Sequence, residues 1–126
     1  MADIHVIYAR GSKPIVKNEA EFFSSGEPVF WCFHSDDDQI DSVELKFDDP
    51  RATFFTGKGR DPWGNEDPLV FRARMKNGRA DFYGHVPAYP NETRPVLAKY
   101  TVRGLDAKGD PVEWTVVDPV IFTSKP

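Results

Sequence analysis

An all-β fold, a two-sheet antiparallel β-sandwich, is what this sequence predicts, and three observations predict it. Apolar residues recur at every second position through several short runs, as strands with one buried face require. Eleven prolines and nine glycines punctuate those runs. No stretch sustains the apolar spacing of a helix of ordinary length. About seven to nine strands, packed as two sheets face to face, account for this pattern, and the 126 residues fit a single domain, 1–126.

Taken in order, Ile4 to Tyr8 reads as a first strand, broken by Gly11 and Pro14. Ile15-Val16 follows as a short edge strand placed to change sheet. Asn18 to Phe23 has helical composition for about one turn, but Ser24-Ser25-Gly26 cuts it short, so a loop or one helical turn is expected. Val29-Phe30-Trp31-Cys32-Phe33 is apolar at consecutive positions, the mark of a strand covered on both faces in mid-core. Beyond Ser35-Asp36-Asp37-Asp38 the chain resumes with Val43, Leu45 and Phe47 alternating with Ser42, Glu44 and Lys46, a strand with one wet face. These two strands are expected to be neighbours across the acidic turn. Ala52 to Thr56 predicts one more short strand, and a Gly-, Pro- and Asp-rich loop runs from Gly57 to Pro68.

The sharpest local signal is Lys76-Asn77-Gly78-Arg79, because Asn-Gly accepts the positive φ angles of a two-residue type I′ turn. A simple hairpin then sets Met75 opposite Ala80, Ala73 opposite Phe82, Phe71 opposite Gly84 and Leu69 opposite Val86, with all the apolar side chains on one face. Its other face carries Arg74 opposite Asp81 and Arg72 opposite Tyr83. Pro87, Pro90 and Pro95 make the following connection rigid and irregular. Val96 to Val102 is a strand with Ala98, Tyr100 and Val102 on one face. After a turn at Leu105 to Gly109, Val112, Trp114 and Val116 alternate with Glu113 and Thr115, and Pro119 to Thr123 forms a terminal segment.

Ala98-Lys99-Tyr100-Thr101-Val102, then Asp106, Gly109 and Val117-Asp118-Pro119-Val120-Ile121, in the last third of the chain, is similar to the C-terminal half of small bacterial immunoglobulin-like and cupredoxin-like β-sandwich domains of unknown role. Tyr100 stands where the late-strand tyrosine of such domains stands, and Val102 where some members have a disulfide cysteine. The resemblance implies a fold and hardly a function. Copper-binding members use histidines with a cysteine and usually a methionine, three of them close together late in the chain. Here Cys32 and His34 come early and nothing of the kind follows His85, so no blue-copper centre is expected.

Composition narrows the function classes. The net charge is −4, with 16 basic against 20 acidic residues and no Lys/Arg block, so the long-range field opposes nucleic acid. No basic leader with an apolar block opens the chain, and no run approaches the ~20 apolar residues of a membrane helix, so membrane insertion is not expected. The single cysteine, Cys32, lies in the most apolar run and fits a reducing, cytoplasmic setting.

No catalytic motif emerges: Ser24, Ser25, Ser35 and Ser42 lack a nucleophile elbow, and Gly57-Lys58-Gly59 is too short for a phosphate loop. His5, His34 and His85 would need three strands to converge on a metal. Cys32 and His34 share a face but make only two ligands. Asp36, Asp37, Asp38 and Asp41 supply oxygens for calcium or merely solvate a turn. No cofactor is therefore expected. Asn91-Glu92-Thr93 matches a glycosylation acceptor, but without an export leader it is read as a chance match.

The strongest binding candidates are loop aromatics, Trp63 with Arg60 and Asn65 around it, and Tyr89 in the proline-rich connection, the alternative being that Trp63 folds back to plug one end of the sandwich. The expected function is a non-catalytic protein-interaction module, an accessory, assembly or inhibitor protein. It would meet a protein partner through loops, or self-associate through a sheet edge. The alternative is a small-ligand, carbohydrate or metal-binding sandwich using those aromatics or the acidic loop.

Overall fold

A computed structural model describes residues 2–17, 22–54, 69–88 and 96–123. They form ten strands: β1 (Ala2–Tyr8), β2 (Ile15–Lys17), β3 (Phe22–Phe23), β4 (Pro28–Ser35), β5 (Ser42–Phe47), β6 (Val70–Arg74), β7 (Arg79–His85), β8 (Val96–Leu105), β9 (Pro111–Val117) and β10 (Val120–Thr123). One sheet runs β2-β1-β4-β7 and the other β3-β10-β8-β5-β6. In the second, β8 is long enough to pair twice along one side, taking β10 at Val96 to Lys99 and β9 at Val102 to Leu105. Two pairings are parallel, β1 with β4 and β10 with β3. The described residues contain no helix, and therefore none long and apolar enough to cross a membrane.

The sheets close on each other through alternate side chains. Ile4, Val6, Tyr8, Val29, Trp31, Phe33, Ala80 and Phe82 from the first meet Val43, Leu45, Phe47, Ala98, Tyr100, Val102 and Ile121 from the second. Trp31 is fully buried, edge-on to Phe47, Phe54 and Tyr100 at 5.6–6.0 Å between ring centres. Its indole N–H donates to the Tyr100 hydroxyl across the interface at 3.2 Å, so the largest side chain in the core carries no unpaired polar atom. An aromatic of that size removes about 150–250 Å² from water, worth about 4–6 kcal/mol at roughly 25 cal/mol per Å² before entropy is counted.

The chain departs from several expectations, each time where it changes sheet. The acidic turn does not join neighbours, because β4 lies in the first sheet and β5 in the second. Asn77 and Gly78 do form the turn, with φ of 52° and 74°, and Lys76 does bridge Arg79. A side chain at residue 78 would come within 2.6 Å of the Ser35 carbonyl, so glycine is required there twice over. Beyond that bridge the hairpin register fails. β6 pairs with β5, β7 pairs with β4, and the Met75 N–H goes to the Asp41 carbonyl. Arg72 and Arg74 accordingly meet Glu44 and Asp41, not Tyr83 and Asp81. The physical reason is that a hairpin opened like a book still points both apolar faces inward, so the same alternation serves two packed sheets.

The wet face expected on β5 is wet only at Lys46. β5 is central, and Glu44, 2 % exposed, lies in a cross-strand row between Arg72 of β6 and Arg103 of β8, with Nε–O distances of 2.7 and 2.8 Å. In β9 the expected alternation breaks at a bulge, where the pairing with β8 shifts between Val102 and Gly104. Thr115 becomes buried and Val116 exposed. The Thr115 hydroxyl accepts the Gly104 N–H at 2.7 Å and donates to the Val112 carbonyl, satisfying backbone groups near the irregularity. Ala52 to Phe54 is irregular and not strand, yet Phe54 is buried, stacked on Phe47 at 4.8 Å.

Candidate functional site

The outer face of the four-stranded sheet carries the densest gathering of chemically useful side chains among the described residues. Strand alternation puts them there: with Ile4, Val6, Trp31 and Phe33 committed to the core, Asp3, His5, Ile7, Phe30, Cys32 and His34 lie on the opposite side. From β7, Arg79, Asp81, Tyr83 and His85 share that side, and from β2 Ile15 and Lys17 do. The register arranges them in rows, Lys17–His5–Cys32–Asp81 and Ile15–Ile7–His34–Arg79, with Asp3–Phe30–Tyr83 beside them.

At one end of this face Phe30 and Tyr83, cross-strand partners, sit 4.6 Å apart between ring centres. Tyr83 is 50 % exposed, and its hydroxyl lies 3.2 Å from His85 Nε2, whose ring meets it edge-on. Phe30 was expected to be covered by a further layer; it is half-buried, and its described cover is this neighbouring ring. At the other end Ile15 is 47 % exposed beside Ile7. Between the two ends, Arg79 pairs with Asp81 at 3.0 Å, and its Nη2 approaches Cys32 Sγ at 3.9 Å.

Two histidines that the sequence left apart are brought together. His5 Nδ1 and His34 Nε2 lie 3.1 Å apart across the parallel β1–β4 seam, while His85 stands with Tyr83. Partial burial, with His5 and Arg79 adding to it, holds the His34 imidazole below its ordinary pKa. Burial, with Asp81 next, pushes the Cys32 thiol up, so it stays protonated and a poor nucleophile at neutral pH. Strand parity places all three side chains on one face. The pairing of His5 with His34 depends on a parallel register, for which local sequence carries no signal.

Three of the four carboxylates of the acidic loop, those of Asp36, Asp37 and Asp41, are engaged with protein groups, and Asp38 is exposed. Asp36 accepts the Arg10 N–H at 2.8 Å, Asp37 accepts the Gln39 N–H at 2.9 Å and pairs with Arg10 at 3.5 Å, and Asp41 takes Arg74 at 3.1 Å. Among the described residues no group of three or more His, Cys, Asp or Glu side chains is arranged to hold a metal ion. Trp63, Arg60, Asn65 and Tyr89, the loop residues expected to bind, lie outside the described residues. So does Asn91-Glu92-Thr93. Comparison with protein-family models, with curated proteins and with solved structures finds no match.

Proposed function

We propose that this chain is a non-catalytic protein-interaction module, an accessory, assembly or inhibitor protein, that receives a protein partner on the outer face of its four-stranded sheet. The Phe30–Tyr83 pair, a half-buried ring beside an exposed one, carries this reading. Two aromatic rings on a rigid strand pair offer large contact area at little cost in conformational entropy, the composition of interface anchors. The ion pair Arg79–Asp81 and the Tyr83–His85 contact form a polar border of the kind that surrounds such anchors. β7 also ends the sheet order, so a partner seated on Tyr83 lies beside a sheet edge. A non-catalytic role agrees with a thiol kept protonated and with two imidazoles occupied by each other.

The two parallel pairings favour the cupredoxin-like over the immunoglobulin-like form, whose sheets are antiparallel. A second reading, carbohydrate binding, uses the same shelf, since an exposed ring bordered by hydrogen-bonding groups also stacks on sugars.

The test compares two exposed side chains on opposite sheets. Tyr83→Ala is expected to weaken the interaction with the partner by about 2 kcal/mol or more without moving the melting temperature. Leu97→Ala, on the second sheet, is expected to change neither. Undiminished partner affinity in Tyr83→Ala overturns the assignment of this face, and a melting temperature raised by one sugar of a panel selects the carbohydrate reading.

A further inference from the structure

β1 is joined to β4 along its whole length, Ala2 beside Val29 through Tyr8 beside Ser35. On the outer side of that seam the His5 and His34 rings are inclined by only 17°, their centres 5.4 Å apart and their facing nitrogens 3.1 Å apart. The difference between those two lengths is about the sum of the two ring radii, so the nitrogens meet nearly in line. An in-line N···N contact at that distance is a hydrogen bond in which one ring supplies an N–H and the other a lone pair. Two imidazolium rings have no lone pair to offer. We infer that the His5–His34 pair is an acid-sensitive clasp on the β1–β4 seam, closed while at least one imidazole is neutral and opened when both are protonated.

The surroundings resist the second proton. Lys17 of β2 lies opposite His5 and Arg79 of β7 opposite His34, so a cation flanks each ring. Asp81 of β7, the carboxylate whose charge acts on His34, is engaged with Arg79 at 3.0 Å. On the rings' own strands the facing ionisable groups are Asp3 and the Cys32 thiol. His34, whose pKa is lowered, is the ring that stays neutral and accepts, with His5 Nδ1–H donating. The sign follows. The unfolded chain, with histidines near 6.5, binds more protons than the folded one as pH falls. The clasp's contribution is therefore complete above about pH 6.5 and is lost as pH drops through the folded value of His34.

The test is a titration of the whole chain followed by the imidazole C–H resonances, together with amide protection factors along β1 and β4. His34 is expected to titrate below the ordinary histidine value near 6.5, and its midpoint is expected to rise in His5→Phe, which removes the donor. Protection of the seam amides is expected to fall several-fold between about pH 7.5 and about pH 5. His34→Gln keeps an acceptor oxygen that does not titrate, so in that variant the loss is expected to disappear while neutral-pH stability is retained. An unchanged His34 midpoint in His5→Phe, or seam protection falling equally in the parent and in His34→Gln, overturns the clasp. Should His5→Phe fail to fold, His34→Gln alone decides between these outcomes.

Discussion

Trp31 is the side chain through which the two sheets are most firmly tied, since it fills the space between Phe47, Phe54 and Tyr100 and also bonds across it. Trp31→Ala is expected to cost about 3–5 kcal/mol, from lost transfer energy and a cavity that strands on both sides prevent from collapsing. Urea denaturation reads this as a lowered midpoint, and a loss under about 1 kcal/mol would mean the ring is not packed as described. Tyr8 makes the opposite case. Its ring is fully buried, edge-on to Trp114, but its hydroxyl has no partner among the described residues, and desolvation drives its pKa far above the ordinary phenol value. Tyr8→Phe should therefore leave stability unchanged or raise it by up to about 1 kcal/mol, since no hydrogen bond to protein is removed. Trp31 was legible as core because apolar residues surround it in sequence. Tyr8 was legible as a strand residue, but the rings packed against it, Phe33 and Trp114, come from elsewhere in the chain, and local sequence does not show whether its hydroxyl meets a partner.

Between strands, the row Arg72–Glu44–Arg103 and the β9 bulge show how a sheet treats polar residues that alternation alone assigns to solvent. Glu44→Ala leaves two guanidiniums on adjoining strands without their shared carboxylate. The expected loss is about 2–3 kcal/mol, at or below the low end for a broken buried pair because both arginines keep some contact with water. A salt titration checks the cause: added salt should narrow the gap between variant and parent by screening the arginine repulsion. Thr115→Val keeps shape and removes the hydroxyl that accepts the Gly104 N–H, which predicts a loss of about 1–3 kcal/mol and faster exchange at the Gly104 amide. Strand existence was legible at nearly every such element, since period-2 patterning is local. Strand partnership was not. Phe71 and Ala73 alternate identically whether β6 pairs with β7 or faces it across the core. Thr115 looked like an outward residue because a bulge shifts parity without altering composition. The Asn77-Gly78 turn was legible because its cause, two positive φ angles, lies within the two residues themselves.

Across the whole molecule, the loop aromatics favoured from sequence, Trp63 and Tyr89, fall outside the described residues, and the candidate face that emerged instead is assembled from four strands of distant sequence origin. The face was illegible for the same reason the sheets were, because its rows are set by register and not by spacing. The same interleaving bears on how fast the chain finds its structure. Among the described strands, those consecutive in sequence are adjacent in the sheets only at β1–β2, β5–β6 and β8–β9, while β1–β4, β4–β7, β3–β10, β8–β10 and β5–β8 each pair across at least one intervening strand. The longest of these brings Phe22 beside Phe122. Chain entropy has to be surrendered for most of these closures before their contacts form, which places refolding in the millisecond-to-second range typical of non-local β topologies. Stopped-flow tryptophan fluorescence should show this slow recovery, whereas microsecond recovery would point to a transition state built on local contacts. Synthesis from the N-terminus has a matching consequence: β3 and the first half of β8 wait for β10, the last of the ten described strands, so the six-stranded sheet stays incomplete, with strand edges open to other chains, until β10 emerges.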